Sequence, residues 1–302
     1  MESKRLQEAR DFLQELAEHP PTLPYEPTLL PRLFAATKED STASIDDLTA
    51  LIERSQKLAT RVLAIANSAV YALEATVTSV HRAISILGFR EVRNMVITVA
   101  AVSAIKGAKL PKDFNAVGLW RHQLTAATIA RTLCAALREQ GRSKGGPGAQ
   151  AMLMAPDEAY AAALLHDIGK VFLAASRPAI WTAIEQIRAE QKLRVFEAED
   201  AYWSMDHALV GAQVLHYWKL PLLLTDSINW HHAPELAPAF KEEAKLLCAA
   251  DHIAHAGLTK TRALPPEVMH LLPADTDAAA FGGIVHTALH MSGAETLMGL
   301  VG

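Results

Sequence analysis

Ala163-Leu-Leu-His166-Asp167-Ile-Gly-Lys170 sets a histidine, a carboxylate and a lysine into an otherwise apolar helical run. Burying an unpartnered carboxylate is costly, so Asp167 must meet a cation, a donor or water. Neutral imidazole beside carboxylate is a good ligand pair for a first-row metal ion. Lys170 falls four residues after His166 on the same face, where its ammonium can hold a phosphate oxygen. For an isolated His-Asp, a hydrogen-bonded doublet at a helix edge is the more common explanation. The rest of the chain has to decide.

The chain around this stretch has 302 residues, half of them hydrophobic and 21% charged, with only 15 glycines and 15 prolines. A chain of that length buries about three-quarters of its unfolded surface and needs no disulfide or metal merely to stay folded. Alanine and leucine crowd almost every block and aromatics are 6%, which favours helix over strand. Ser44 with Asp47 reads as a capping box ahead of Ile45, Leu48, Leu51, Ile52 and Leu58 at helical spacing. A second helix is expected over Arg61–Ala72. Ser79 caps a third that Gly88 ends as a left-handed cap, and a fourth covers Arg90–Ile105.

Gly107, Pro111 and Asp113 then punctuate the chain. A helix over Asn115–Gln140 should stop at Gly141, where Gly141-Arg-Ser-Lys-Gly-Gly-Pro-Gly148 reads as loop. Further helices are expected at about 157–175, 178–191, 206–218, 222–232, 240–256 and 278–298. No alternating strand pattern competes with them. The expected fold is all-α: a short N-terminal helix in 1–19 and two packed helical lobes, 20–112 and 113–302. Leu51, Ile52, Leu58, Leu63, Ile84, Leu87 and Val96 are expected to share the core of the first lobe.

A net charge of −4 argues against a general grip on nucleic acid, which needs a basic face. Cys134 and Cys248 are too few for a disulfide framework and point to the cytoplasm. The start has no secretory pattern, and the apolar run Met95–Ile105 is well short of the ~20 residues of a membrane span, so no membrane association is expected.

Thirteen histidines are spread unevenly, with only His19 and His81 before residue 115. His122 lies among Leu119, Ala126, Ile129 and Leu133, on a core-facing stripe. Taken alone it reads as a satisfied core histidine. His207 opens a helix, His231-His232 ends one, and Asp251 is a second carboxylate in an apolar helix. His286 and His290 are spaced to chelate but have no carboxylate or cysteine near them, so they read as surface positions. Arg82, Arg90 and Arg93 read as a solvated face, and Trp120, Trp203, Trp218 and Trp230 as packing for the second core. Asn67 reads as a backbone-bonding residue in or at the end of a helix.

The order His122, His166-Asp167, His207, His231-His232, Asp251 resembles the ligand order of HD-superfamily metal-dependent phosphohydrolases. His166-Asp-Ile-Gly-Lys170 with the later doublet is similar to the HD-GYP branch, which opens cyclic dinucleotides. Here Ala233-Pro-Glu-Leu-Ala-Pro238 stands where that branch has Gly-Tyr-Pro. Leu23-Pro24, Leu51-Ile52, Ala66-Asn67-Ser68 with Tyr71, Ala83-Ile-Ser-Ile-Leu-Gly88 and Trp218-Lys-Leu-Pro221 resemble the HDOD family of bacterial signalling modules, with Ser55-Gln56 in place of its usual Asp-Pro.

The resemblance implies that the seven side chains hold one or two divalent ions, iron, manganese or zinc. It also implies a regulatory role exerted by contact with a protein partner, with a nucleotide or cyclic dinucleotide as candidate ligand. The rival expectation is a metal-dependent phosphohydrolase in which Asp167 and Lys170 are the catalytic pair.

Overall fold

The computed structural model describes residues 2–21, 28–37, 41–68, 71, 73–144, 154–256, 264–272 and 276–291, and among them every regular element is helical. Leu23-Pro24 and residues 145–148 of the expected loop lie outside these. The order is α1 (Glu2–Glu18), α2 (Leu29–Ala36), α3 (Ile45–Glu53), α4 (Gln56–Ala66), α5 (Val80–Leu87), α6 (Phe89–Gly107), α7 (Ala116–Lys144) and α8 (Pro156–Leu165). There follow α9 (Ile168–Ser176), α10 (Pro178–Gln191), α11 (Val195–Trp203), α12 (His207–Tyr217), α13 (Leu222–Asn229), α14 (Lys241–Ala256) and α15 (Ala278–Met291).

Side-chain caps set the starts of the first helices. Ser44 Oγ accepts from the Asp47 amide at 3.1 Å while Asp47 accepts from the Ser44 amide at 2.9 Å. Ser55 caps α4 through the Leu58 amide and Ser79 caps α5 through that of Arg82. The helix expected over Arg61–Ala72 therefore starts earlier, at Gln56, and ends at Ala66. Asn67 stops it: its amide donates to the carbonyls of Leu63 and Val77, and its oxygen accepts from the Val77 amide at 2.7 Å. Gly88 has φ +84° and ψ 165°, so it is extended on the left-hand side rather than αL, and it links α5 directly to α6.

From Val92 to Val102 every residue of α6 is buried, which is the mark of a helix covered all round. It packs against α2, α4 and α5 and also against α8 and α9. One contiguous apolar cluster consequently runs from the early helices into the later ones. Leu51, Ile52, Leu58, Ile84 and Val96 are in it, whereas Leu63 and Leu87 only border it.

Arg93 departs from the expected solvated face. It is 3% exposed, donates to Thr37 Oγ1 at 2.8 Å and lies over the Phe34 ring, while Arg82 stays exposed. Trp120, Trp203 and Trp218 are buried, and Trp230 is half-buried.

In the later helices, α7 runs on through Gly141 to Lys144 instead of stopping at the glycine. The helix expected over 222–232 closes at Asn229 and leaves His231-His232 in a turn. The helix expected over 157–175 is two helices, broken at His166-Asp167. Gly169 explains the break. A Cβ there would lie 1.9 Å from the His207 carbonyl oxygen, so α9 rests backbone-to-backbone on α12. The chain must turn after α8 to make that contact. α11 carries no expectation from the sequence pattern, and neither does α2.

Candidate metal centre

Five separate segments bring the seven candidate side chains together. His122 comes from α7, His166 and Asp167 from the α8–α9 break, His207 from the first position of α12, His231 and His232 from the turn after α13, and Asp251 from α14. His122 Nε2 lies 2.9 Å from Asp251 Oδ1, 3.6 Å from Asp167 Oδ2 and 3.2 Å from His166 Nε2. His207 Nε2 is 2.9 Å from Asp167 Oδ1 and 3.0 Å from His232 Nε2. His166, Asp167, His207, His231 and Asp251 are all at most 2% exposed. No spacing in the linear sequence announces this convergence; the helix packing makes it.

The ring orientations follow from hydrogen bonds on the far side of each imidazole. His166 Nδ1 donates to the Ala163 carbonyl and His231 Nδ1 to that of Ile228, each at 2.7 Å. His207 Nδ1 donates to Glu199 Oε2 at 2.6 Å, and the same oxygen accepts from the His207 amide at 2.9 Å. With Nδ1 committed, each ring aims Nε2 at the common centre, the arrangement by which outer partners orient metal-binding imidazoles. His231 Nε2 is buried and has no hydrogen-bond partner. An orphaned lone pair of that kind fits a cation, and the mixed imidazole–carboxylate donor set suits iron, manganese or zinc.

Electrostatics in the metal-free chain agree with a site built for positive charge. Burial would raise Asp167, but His166, Lys170 and His207 hold it well below the usual carboxylate range. Asp251 is likewise held low, against its burial, by hydrogen bonds from His122, His166 and His255. Burial opposes charge on Lys170, yet Asp167, 2.6 Å away, and Asp251 raise it. Burial pushes His231 down to about 3, and lowers His232 and His122 as well. His207 goes the other way: burial disfavours its charge, but Glu199 and Asp167 raise it to about 9. A proton there does between His207 and Asp167 what a metal ion would do.

Four residues that touch the centre were not expected from sequence. Glu199, fully buried on α11, orients His207. Arg194 donates to Asp251 Oδ2 at 2.9 Å and lies 2.7 Å from His252 Nε2. His255 Nδ1 approaches Asp251 Oδ1 at 3.0 Å. A helical i,i+4 reading of Asp251 and His255 was the one signal available. A cavity of about 300 Å³ opens onto the centre, lined by His122, Asp167, Lys170 and His255 together with Phe114, Trp181 and Arg188. A second, of about 340 Å³, reaches it through His232, Arg194 and His252. His286 lies on α15, part-buried, and the His290 side chain is outside the described residues.

The sequence profile of the HDOD domain matches residues 23–234. The chain belongs to the HDOD family. A crystal structure of an HDOD domain protein of unknown function from Geobacter sulfurreducens is similar to it at 25% identity and a TM-score of 0.71, over 99% of this chain and 97% of that one. A protein from Shewanella amazonensis SB2B, named as a candidate phosphohydrolase, shares the fold at 22% identity and a TM-score of 0.69, over 96% and 98% of the two chains.

An uncharacterised protein of Treponema pallidum (strain Nichols) is 25% identical over 221 residues. That match spans 73% of this HDOD chain but 39% of the relative's length. Among the described residues, no helix is long and apolar enough to cross a membrane.

Proposed function

We propose that this HDOD chain is a metal-holding regulatory module of bacterial signalling. One or two divalent ions would sit among His122, His166, Asp167, His207, His231, His232 and Asp251. A phosphorylated small ligand, a nucleotide or cyclic dinucleotide, would reach them through the cavity beside Lys170. The output is contact with a protein partner; membrane and general nucleic-acid binding have no part in it. The observation that carries the reading is the buried, partnerless Nε2 of His231, whose own Nδ1 is committed like those of His166 and His207. Burying that many titratable groups is unfavourable unless a cation repays it.

When bound, the metal supplies Lewis acidity toward a phosphoryl oxygen and lowers the pKa of a coordinated water. The chain's own contribution is orientation. Glu199 and the carbonyls of Ala163 and Ile228 fix three imidazoles, and Lys170 presents its ammonium at the cavity wall to hold a phosphate oxygen. That same lysine favours the rival reading, a metal-dependent phosphohydrolase with Asp167 and Lys170 at its heart. Against rapid turnover, the stretch after His232 lacks the Gly-Tyr-Pro segment, and Lys170 is tied to Asp167 at 2.6 Å.

Metal analysis of protein purified without chelators, paired with turnover of a phosphodiester panel, tests both. The wild type is expected to hold metal, and Asp167→Ala and His231→Ala to lose most of it. A wild type that neither carries nor takes up iron, manganese or zinc overturns the metal reading. Fast metal-dependent cleavage that disappears in Asp167→Ala replaces the regulatory reading with the hydrolase.

A further inference from the structure

One short helix touches three of the candidate ligands without supplying any. At the start of α11, Arg194 donates to Asp251 Oδ2 at 2.9 Å and its other terminal nitrogen lies 2.7 Å from His252 Nε2. Two residues on, the Phe196 ring stacks on His232 with centroids 4.1 Å apart and planes 14° from parallel. The Arg194 guanidinium also lies over the Phe196 ring, 4.9 Å from its centroid. One turn further, buried Glu199 takes both the amide and Nδ1 of His207. Asp251, His232 and His207 come from three different parts of the chain, and the first turn and a half of α11 fixes all three.

Arg194 is the member whose chemistry is most specific. A carboxylate can bind a metal through one oxygen or two. Asp251 Oδ2 is occupied by the guanidinium, whereas Oδ1 faces His122 at 2.9 Å and His255 at 3.0 Å. The planar fork of an arginine reaches Asp251 and His252 together, which a lysine ammonium on its flexible stem does not reproduce. Arg194 itself is held by its backbone amide, which donates to Glu197 Oε2 at 2.7 Å, and by its stacking on Phe196. Its side chain is about one-third exposed, so replacing it does not empty the core.

We propose that Arg194 is a positioning residue of the metal centre: it restricts Asp251 to one free oxygen and, with Phe196 and Glu199, lets α11 set the geometry of the whole ligand cluster. This rests on the metal reading above. The test is titration of the chelator-stripped full chain with Co(II), read by its visible absorption and by competition with a chromophoric chelator. Outer-sphere partners of this kind are worth about 10–100-fold in metal affinity.

Arg194→Gln is expected to weaken Co(II) by that factor and to shift the absorption bands, because Asp251 gains a second coordinating oxygen. Arg194→Lys should fall between the two and serves as the readout if the glutamine variant folds poorly. Arg82→Gln, which removes an exposed cation on α5 outside the cluster and its cavities, should leave both affinity and bands unchanged. Wild-type affinity and bands in both Arg194 variants overturn the inference and leave the metal reading standing. A wild type that binds no Co(II) overturns the metal reading, and this inference with it.

Discussion

Gly169 offers the sharpest test of how the fold makes the site. In an ordinary exposed helix, Gly→Ala stabilises by about 1 kcal/mol, because alanine loses less backbone freedom on folding. At Gly169 the added Cβ would sit 1.9 Å from the His207 carbonyl oxygen and 2.7 Å from the Gly211 amide nitrogen. Those are backbone atoms, so no rotamer change relieves the clash. Relieving it to 3.0 Å requires α9 and α12 to part by about 1 Å. Overpacking of this kind costs typically 1–3 kcal/mol, and a rigid backbone contact belongs at the upper end. Setting about 3 against about 1 leaves Gly169→Ala destabilised by about 2 kcal/mol.

The same displacement moves His207, the first residue of α12, relative to Asp167, two residues before the glycine. Metal–ligand distances tolerate only about 0.2 Å, so metal affinity should fall with stability. Gly211 and Gly283 are the controls. A Cβ at Gly211 meets nothing closer than 3.2 Å, and at Gly283 nothing within 4 Å. Gly211→Ala should therefore be near neutral, and Gly283→Ala stabilising by about 1 kcal/mol. Urea unfolding of the metal-stripped variants gives the order. A Gly169→Ala protein as stable as wild type, with unchanged Co(II) affinity, would refute the backbone contact and the account of the α8–α9 break built on it.

Asn67→Ala should cost about 1–3 kcal/mol, because it strands the Val77 amide and carbonyl together; an unchanged urea midpoint would refute this. Leu58→Ala, at a fully buried site, should cost about 2–5 kcal/mol and Leu63→Ala distinctly less, since Leu63 only borders the core; equal losses would contradict the packing. Metal-free protein should be most stable near pH 6.5 and lose stability on either side of it. His231, lowered in the fold from 6.5 to about 3, subtracts stability as pH falls below 6.5, and Asp167 and Asp251, held below 3.8, subtract more near pH 4. His207, raised to about 9, contributes fully below 6.5 and loses that contribution as pH rises through 9. Thermal melts peaking near pH 5 would show the sign to be wrong.

Helix class and most of the later helices were legible because their apolar stripes and caps act locally. Ser44–Asp47 and Ser79 each bond within a few residues, so pattern and structure coincide there, whereas Gly88 ends its helix without the expected αL conformation. Failures occurred where distant contacts override local preference. The α8 segment looks continuous with α9 because no proline or cap breaks it; the break comes from α12 pressing on Gly169. α11 went unseen because Phe196-Glu-Ala-Glu-Asp200 presents two acidic residues where an amphipathic helix would repeat apolar ones, and one of them, Glu199, is buried for His207. Arg93 looked like surface for the converse reason: its partners, Thr37 and Phe34, are more than fifty residues away. All seven candidate ligands were legible as residue types in order. Their outer partners were not, since hydrogen bonds to Ala163, Ile228 and Glu199 leave no periodic trace.

The position of the centre within the fold bears on how a regulatory module could use it. His166 and Asp167 are not on a helix but between two, and both of those helices pack on α6. α6 is buried from Val92 to Val102 and also packs against α2, α4 and α5. A helix enclosed in this way cannot absorb a shift by moving into solvent. A close-packed interior transmits such a shift instead of damping it. Whatever changes the α8–α9 angle, whether a metal ion drawing Asp167 toward His207 or a ligand pulling on Lys170, changes the surface on which the early helices rest. A ligand biases that equilibrium only by as much as it prefers one arrangement over the other. The Lys170–Asp167 contact supplies such a preference, because a phosphate that engages Lys170 competes directly with the Asp167 carboxylate, a candidate metal ligand, for the same ammonium.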